Sequence, residues 1–351
     1  MAAIDRQPEW DTLVADLGGQ LFQAWAWGEL KSRFGWQPHR LAAADGASAA
    51  QLLIRPYRGL SVAYVARGPV TRPGTPVDEQ LIQVIISTAR AQRAAFVRFE
   101  PDALETDTHA ITLDEQLREQ GFRPVQRTLQ PRSTIRLDLT PSEDALLAGF
   151  SKGHRADIRR AERDGLTVRV ATSDSDVEHL ANVLRATQAR KTFNVHSAAY
   201  YRVLWREFGD SARLFLAEHD GTIVGASLVL AWGRHGTYLV AGSTPAGLEQ
   251  RAAHALQWQA IRWAKERGAM TWDLWGIADA RGRYELALAG GRDASSPDMT
   301  SLEAEARNDP LDGVYRFKKG WGGQVVRTVP AYDRVFIRPV HWLWQRRRGE
   351  A

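Results

Sequence analysis

Apolar and polar positions along this chain change period several times, and each change marks an element. Residues 52–64, two largely apolar runs around an internal Arg-Gly turn, read as strand, turn and strand that end in Arg67-Gly68-Pro69. Residues 227–238, about 175 positions later, repeat this and end in Ala241-Gly242-Ser243. In each half a helix and one further strand follow, 80–93 and 95–100 in the first, 250–267 and 270–275 in the second. The second helix carries Ala253, Leu256, Ala260, Trp263 and Ala264 at helical spacing and stops at Gly268. Hairpins followed by a helix and a strand predict a mixed sheet flanked by helices, twice over, and so an α/β (mixed) chain.

The second unit is expected to begin near Gly149, giving domains 1–148 and 149–326, with 327–351 packing back on the first. Ser151 caps a predicted helix that runs through Arg163 and ends at Gly165. Asp220-Gly221 predicts a hairpin turn. Residues 278–310, rich in Gly, Asp and Ser, read as a long loop with at most a short helix near 302–307.

The 351 residues, 44% hydrophobic and 25% charged, suffice for two ordinary domains. The absence of cysteine excludes disulfides, thiolate metal sites and a cysteine nucleophile. No run approaches the ~18 apolar residues of a membrane span, and the first residues lack a signal-peptide pattern, so a cytoplasmic location is expected. Net charge is only +5, but Arg316, Lys318, Lys319, Arg327, Arg334, Arg338, Arg346, Arg347 and Arg348 crowd the C-terminal end against the single acid Asp333. Such a surface draws nucleic acid, nucleotide phosphates or acidic headgroups, or is simply a solvated tail.

Three segments carry candidate chemistry. In residues 312–323 an aromatic and two lysines precede a glycine-rich turn, where backbone N–H groups and an ammonium can meet an oxyanion. A basic strand end with a tight turn is the plainer alternative. Lys152, Arg155, Arg159 and Arg163, three, four and four apart, form one cationic stripe on a helix, fit for a phosphate backbone or for solvent. Trp27 and Lys31, four apart, share a helix face, where core packing beside a solvated lysine is the plainer alternative. There is no H-E-x-x-H, no G-x-S-x-G and no P-loop, so no metal, cofactor or covalent nucleophile is expected. Acyl transfer from an activated ester needs none of these; it needs positioning, proton removal and oxyanion stabilisation.

Residues 150–161, 257–277 and, most specifically, 314–323 resemble the Fem family, which builds peptidoglycan cross-bridges from aminoacyl-tRNA. Residues 64–70 and 130–134 are similar as well. The resemblance implies two tandem acetyltransferase-like (GNAT-like) domains, in agreement with the repeat. It implies that Phe317 and Lys318 stand at the reaction centre, the lysine stabilising developing negative charge and the aromatic positioning the aminoacyl end. Lys31 matches the family's precursor-phosphate lysine, and Gly242 the strand end lining the donor channel. The family's phosphate-binding arginine, four residues before a tyrosine (here Tyr200), is replaced by His196, with Arg190 or Lys191 nearby as substitutes.

Residues 151–200 are too few for the long helical hairpin of some relatives, so the compact type is expected. The loop 278–312 would then act as a lid or be a passive insertion. The implied partners are aminoacyl-tRNA, along Lys152, Arg155, Arg159, Arg163 and Lys319, and a nucleotide- or lipid-linked muropeptide precursor. A monomer is expected, touching the inner membrane face peripherally through Trp342, Trp344 and the arginines after them. Two other readings stay open. One is a two-domain N-acyltransferase using acyl-CoA, although Ser-Thr-Pro-Ala-Gly-Leu after Gly242 is not a clean pyrophosphate loop. The other is a non-catalytic nucleic-acid or membrane-surface protein on the same fold.

Overall fold

A computed structural model of the chain describes residues 2–188 and 195–347. The chain divides into two units, Met1–Arg132 with Thr328–Ala351, and Ser133–Arg327.

The first unit holds β1 (Ala2–Ala3), β2 (Gln37–Ala42), β3 (Ser48–Tyr57), β4 (Leu60–Ala66), β5 (Val70–Thr71), β6 (Ala94–Glu100), β7 (Arg123–Val125) and, from the far end of the chain, β15 (Ala331–Val335). Its sheet runs β1-β2-β3-β4-β6-β15-β7, with β5 on β3, and is antiparallel except where β4 meets β6. Helices α1 (Gln7–Asp16), α2 (Trp25–Ser32), α3 (Glu79–Ala91), α4 (His109–Glu119) and α14 (Arg338–Arg347) complete it. Asp78 caps α3, whose Leu81, Ile82, Ile85, Ile86 and Ala89 form one buried stripe over the sheet.

The second unit holds β8 (Ser133–Asp138), β9 (Thr167–Val170), β10 (Ala212–His219), β11 (Thr222–Trp232), β12 (His235–Ser243), β13 (Thr271–Gly276) and β14 (Gln324–Arg327). Its helices are α5 (Glu143–Gly149), α6 (Lys152–Arg163), α7 (Asp174–Gln188), α8 (Ala198–Phe208), α9 (Pro245–Glu249), α10 (Ala252–Glu266), α11 (Asp279–Ala289), α12 (Pro297–Asn308) and α13 (Asp312–Lys319). The strand order is β14-β8-β13-β12-β11-β10-β9, with β12 and β13 as the one parallel pair. Each unit is thus a hairpin, a helix and a parallel strand, the repeat read from the sequence. Asp220 and Gly221, with φ of 49° and 71°, make the predicted hairpin turn, and Ser151 caps α6 through the His154 N–H at 3.2 Å.

Two expectations need correction, and one alternative falls away. The boundary falls at Ser133 and not near Gly149, because β8 pairs with both β13 and β14, and Leu146 and Phe150 enter the second core. Residues 278–310 are not a loop but carry α11 and α12, joined by the short connection 290–296. The glycines, serines and aspartates that suggested a loop are concentrated in this short connection, while α11 buries Ala280, Arg281, Gly282 and Tyr284. Residues 312–319, finally, are a helix and not a strand end.

Candidate functional site in the second unit

β12 and β13 pair in parallel only from His235↔Thr271 to Thr237↔Asp273. Beyond that point β13 bulges against β8, and Trp275 adopts a left-handed backbone with φ 67°. A non-glycine residue there costs roughly 1–3 kcal/mol and persists only where its surroundings impose it. Asp273 imposes it: the buried carboxylate accepts the Trp275 N–H at 2.7 Å, with Thr134 Oγ1 and Arg136 Nε each at 3.4 Å. The bulge presents the Gly276 carbonyl to α13, where Lys318 Nζ donates to it at 2.7 Å.

Lys318 is 6% exposed, and burial pulls its ammonium from 10.5 down to about 7 against the opposing pull of Asp273. Lys319, one residue on and therefore about 100° around the helix, is exposed and lies 3.5 Å from Glu285 of α11. Glu285 also accepts the Tyr315 hydroxyl at 2.6 Å, and burial with that carboxylate pushes the phenol up. The two lysines thus face different surroundings: Lys318 is buried and Lys319 is exposed.

The expected cradle of free backbone N–H groups is absent from the turn after α13. Trp321 and Gly322 donate instead to the Lys318 and Lys319 carbonyls at 3.2 and 3.1 Å. A helix C-terminus favours cations, and so suits an ammonium rather than an anion.

Phe317 is half-buried, its ring 5.5 Å from His154, 5.2 Å from His254 and 5.9 Å from Trp321. His154 lies under the last turn of α13, its Nε2 2.7 Å from the Phe317 carbonyl. At Gly320 any β-carbon would stand 2.1 Å from the His154 ring, so this glycine is a packing requirement. His254 crosses His154 edge to face at 4.7 Å, and burial together with His154 pulls it down to about 4. Nothing in the sequence spacing singled out His154, His254 or Asp273; only the third position after the Ser151 cap hinted at the first.

The remaining candidates lie elsewhere. His196 is exposed and stacks on the buried Tyr200 at the start of α8, ring centroids 3.9 Å apart. Arg190 and Lys191 lie outside the described residues. The space before Gly242 on β12 is taken by α7, since a β-carbon there would meet Thr187 Oγ1 at 2.5 Å. Of the α6 stripe, Lys152, Arg159 and Arg163 are exposed, but Arg155 is turned away. Its Nη1 donates to the Ala148 carbonyl at 2.8 Å and to that of Phe150, closing the C-terminal end of α5. In the first unit, Lys31 Nζ lies 4.5 Å over the buried Trp27 ring, as the four-residue spacing suggested.

The arrangement defines a class: tandem GNAT-like units, one of which carries a buried lysine beside the end of its parallel strand pair. The fold is that of a solved structure described as FemX, TM-score 0.78 at 20% identity, over 98% of this chain and 99% of that one. It is also similar to a tandem GNAT protein from the clavulanic acid biosynthesis pathway, TM-score 0.50 at 13% identity, over 95% and 97%. The chain belongs to the FemAB family, whose model matches residues 8–222. Among curated relatives, the UDP-N-acetylmuramoylpentapeptide-lysine N(6)-alanyltransferase of Weissella viridescens is 27% identical, covering 74% of this chain and 80% of that protein. The Lipid II:glycine glycyltransferase of Staphylococcus epidermidis is 22% identical over 93% and 90%.

Proposed function

We propose that this protein transfers an amino acid from aminoacyl-tRNA to an amine on the stem peptide of a peptidoglycan precursor, with Lys318 at the reaction centre. The observation that carries the reading is the burial of Lys318 against the Gly276 carbonyl while its neighbour Lys319 lies outside with Glu285. The amine nitrogen attacks the ester carbonyl carbon, and the carbonyl oxygen becomes an oxyanion. The C–O bond to the tRNA ribose then breaks, and the proton lost by the amine ends on the leaving ribose oxygen. A fixed ammonium in a water-poor site favours that oxyanion over the neutral carbonyl, and so lowers the barrier selectively. Phe317 beside it holds the aminoacyl end; Lys31, Tyr200 and His196 are assigned to the precursor; Lys152, Arg159, Arg163 and Lys319 to tRNA. The names of the relatives point to both nucleotide-linked and lipid-linked acceptors.

A lysine near 7 is also half neutral at working pH, which favours a second role as base toward the attacking amine. Turnover at saturating substrate separates the two: an oxyanion donor loses activity as pH rises through about 7, a base gains it. The test of the whole reading is a transfer assay with total charged tRNA, with acetyl-CoA as the competing donor, and with both acceptor forms, products read by mass spectrometry. Lys318→Met is expected to lower turnover about 10²- to 10³-fold, and Lys319→Met far less. Near-normal turnover in Lys318→Met, or transfer from acetyl-CoA without tRNA, overturns it.

A further inference from the structure

A helix leaves its last four carbonyls without intrahelical partners, and for α13 these belong to Arg316, Phe317, Lys318 and Lys319. The Lys318 and Lys319 carbonyls are taken by the following turn. The Phe317 carbonyl is taken by a side chain from another helix, His154 of α6. The joint is doubled by the Ser151 N–H, which donates to the Gly320 carbonyl at 2.8 Å. The tautomer follows from the partners. A carbonyl only accepts, so Nε2 carries the proton, and Nδ1 accepts from Ser151 Oγ at 3.1 Å. Ser151 Oγ in turn accepts the His154 N–H and caps α6. One network therefore begins at the cap of α6 and ends on the residue next to Lys318.

We propose that His154 is a positioning residue of this enzyme, holding the last turn of α13 so that the Lys318 ammonium stays on the Gly276 carbonyl and shielded from water. The inference rests on the reading of Lys318 as the reaction centre. His154 does not touch Lys318; it fixes the carbonyl one residue before it, and its ring walls Phe317 and Trp321, with centroids 5.5 and 4.9 Å away. Around Lys318 stand Asp273 of β13 and, through Asp273, Arg136 of β8; around His154 stand Asp157 of its own helix and His254 of α10, and Arg251 reaches them through Asp157 and His254. None of these replaces the Nε2 donor on the Phe317 carbonyl.

The experiment compares His154→Leu, which keeps bulk but removes the donor, with His154→Gln, whose side-chain amide can again donate to Phe317. Both are measured in the full chain, with melting temperature as a folding control. We expect His154→Leu to lose about tenfold in kcat, the worth of one neutral hydrogen bond, with KM for both substrates within about twofold. His154→Gln should recover most of that loss. The second readout is NMR of protein labelled at lysine Cε, where the six lysines of the chain give a countable spectrum and Lys318→Met assigns the resonance. Lys318 titrates near 7 in the wild type and in His154→Gln, and moves up toward 10.5 in His154→Leu as water reaches it. An unmoved Lys318 titration in His154→Leu, or equal losses in the two His154 variants, overturns the inference. Full turnover in Lys318→Met overturns instead the reading on which it rests.

Discussion

Lys318 is held in the fold at a cost that its own titration exposes. Its folded value of about 7 lies below the 10.5 of an unfolded lysine, so as pH falls the unfolded chain takes up the proton first. The penalty is absent above pH 10.5 and complete below about 7, where it is on the order of 5 kcal/mol. Lys318→Met is therefore expected to melt above the wild type at pH 7, with the gap closing as pH is raised toward 10.5. A methionine variant that melts lower across this range would show that the contact with Gly276 outweighs desolvation. The same residue shows what a sequence can and cannot give. The Phe-Lys-Lys motif drew attention to residues 317–319. Which lysine is buried, however, depends on a helical phase that the motif, equally compatible with a strand end, does not give. Asp273 and the left-handed Trp275 could not be read at all, since a bulge arises from mismatch between neighbouring strands and leaves no period in either one.

At the level of elements, hairpins and long amphipathic helices were legible because each carries its own period and punctuation. Asp220-Gly221 and the α10 stripe are examples. α11 was not, because its buried face is built from Ala280, Arg281, Gly282 and Tyr284, which lack an apolar rhythm. Arg281 there is paired with Asp312 at 2.8 Å and lies over the Tyr315 ring at 4.9 Å, so a charged residue serves as packing. The α6 stripe divides for a similar reason. Because Arg155 closes α5, reversing it confounds folding with binding. Charge reversal at Lys152, Arg159 and Arg163 is the cleaner test. It should raise KM for charged tRNA, flatten its salt dependence and leave KM for the acceptor unchanged. Unaltered tRNA kinetics in this triple variant would remove the stripe from the mechanism. On α14, Trp342 and Leu343 are 51% and 50% exposed, whereas Trp344 packs 4.8 Å from Phe96 and His341 bonds Asp333 at 2.7 Å. Truncating α14 would damage the first unit, so Trp342→Ser with Leu343→Ser is the probe of membrane contact. Co-sedimentation with anionic vesicles should fall in that variant, and unchanged sedimentation would count against the idea.

For the molecule as a whole, the path of the chain matters more than any single contact. The second unit is one continuous segment, whereas the first is interrupted by it and completed by β15, whose Asp333 forms a buried ion pair with Arg98 of β6 at 2.7 Å. Removing one member of a buried pair leaves the other uncompensated, typically a loss of about 3–5 kcal/mol. β7 reaches the first sheet only by way of β15, which stands between it and β6. Emergence from the ribosome therefore sets an unusual timetable. The N-terminal residues are made first but must wait with the β6 edge unpaired, while the segment 133–327 already has every strand of its own sheet. A nascent chain stalled with residue 327 outside the exit tunnel should resist protease over its second unit and be cut within its first. Protection of residues 1–132 should appear only after the last strand is released. A fragment of residues 133–327 should fold alone, and one of residues 1–132 should not. The half of the protein that is translated first is the half that exposes an open sheet edge to aggregation or a chaperone throughout synthesis.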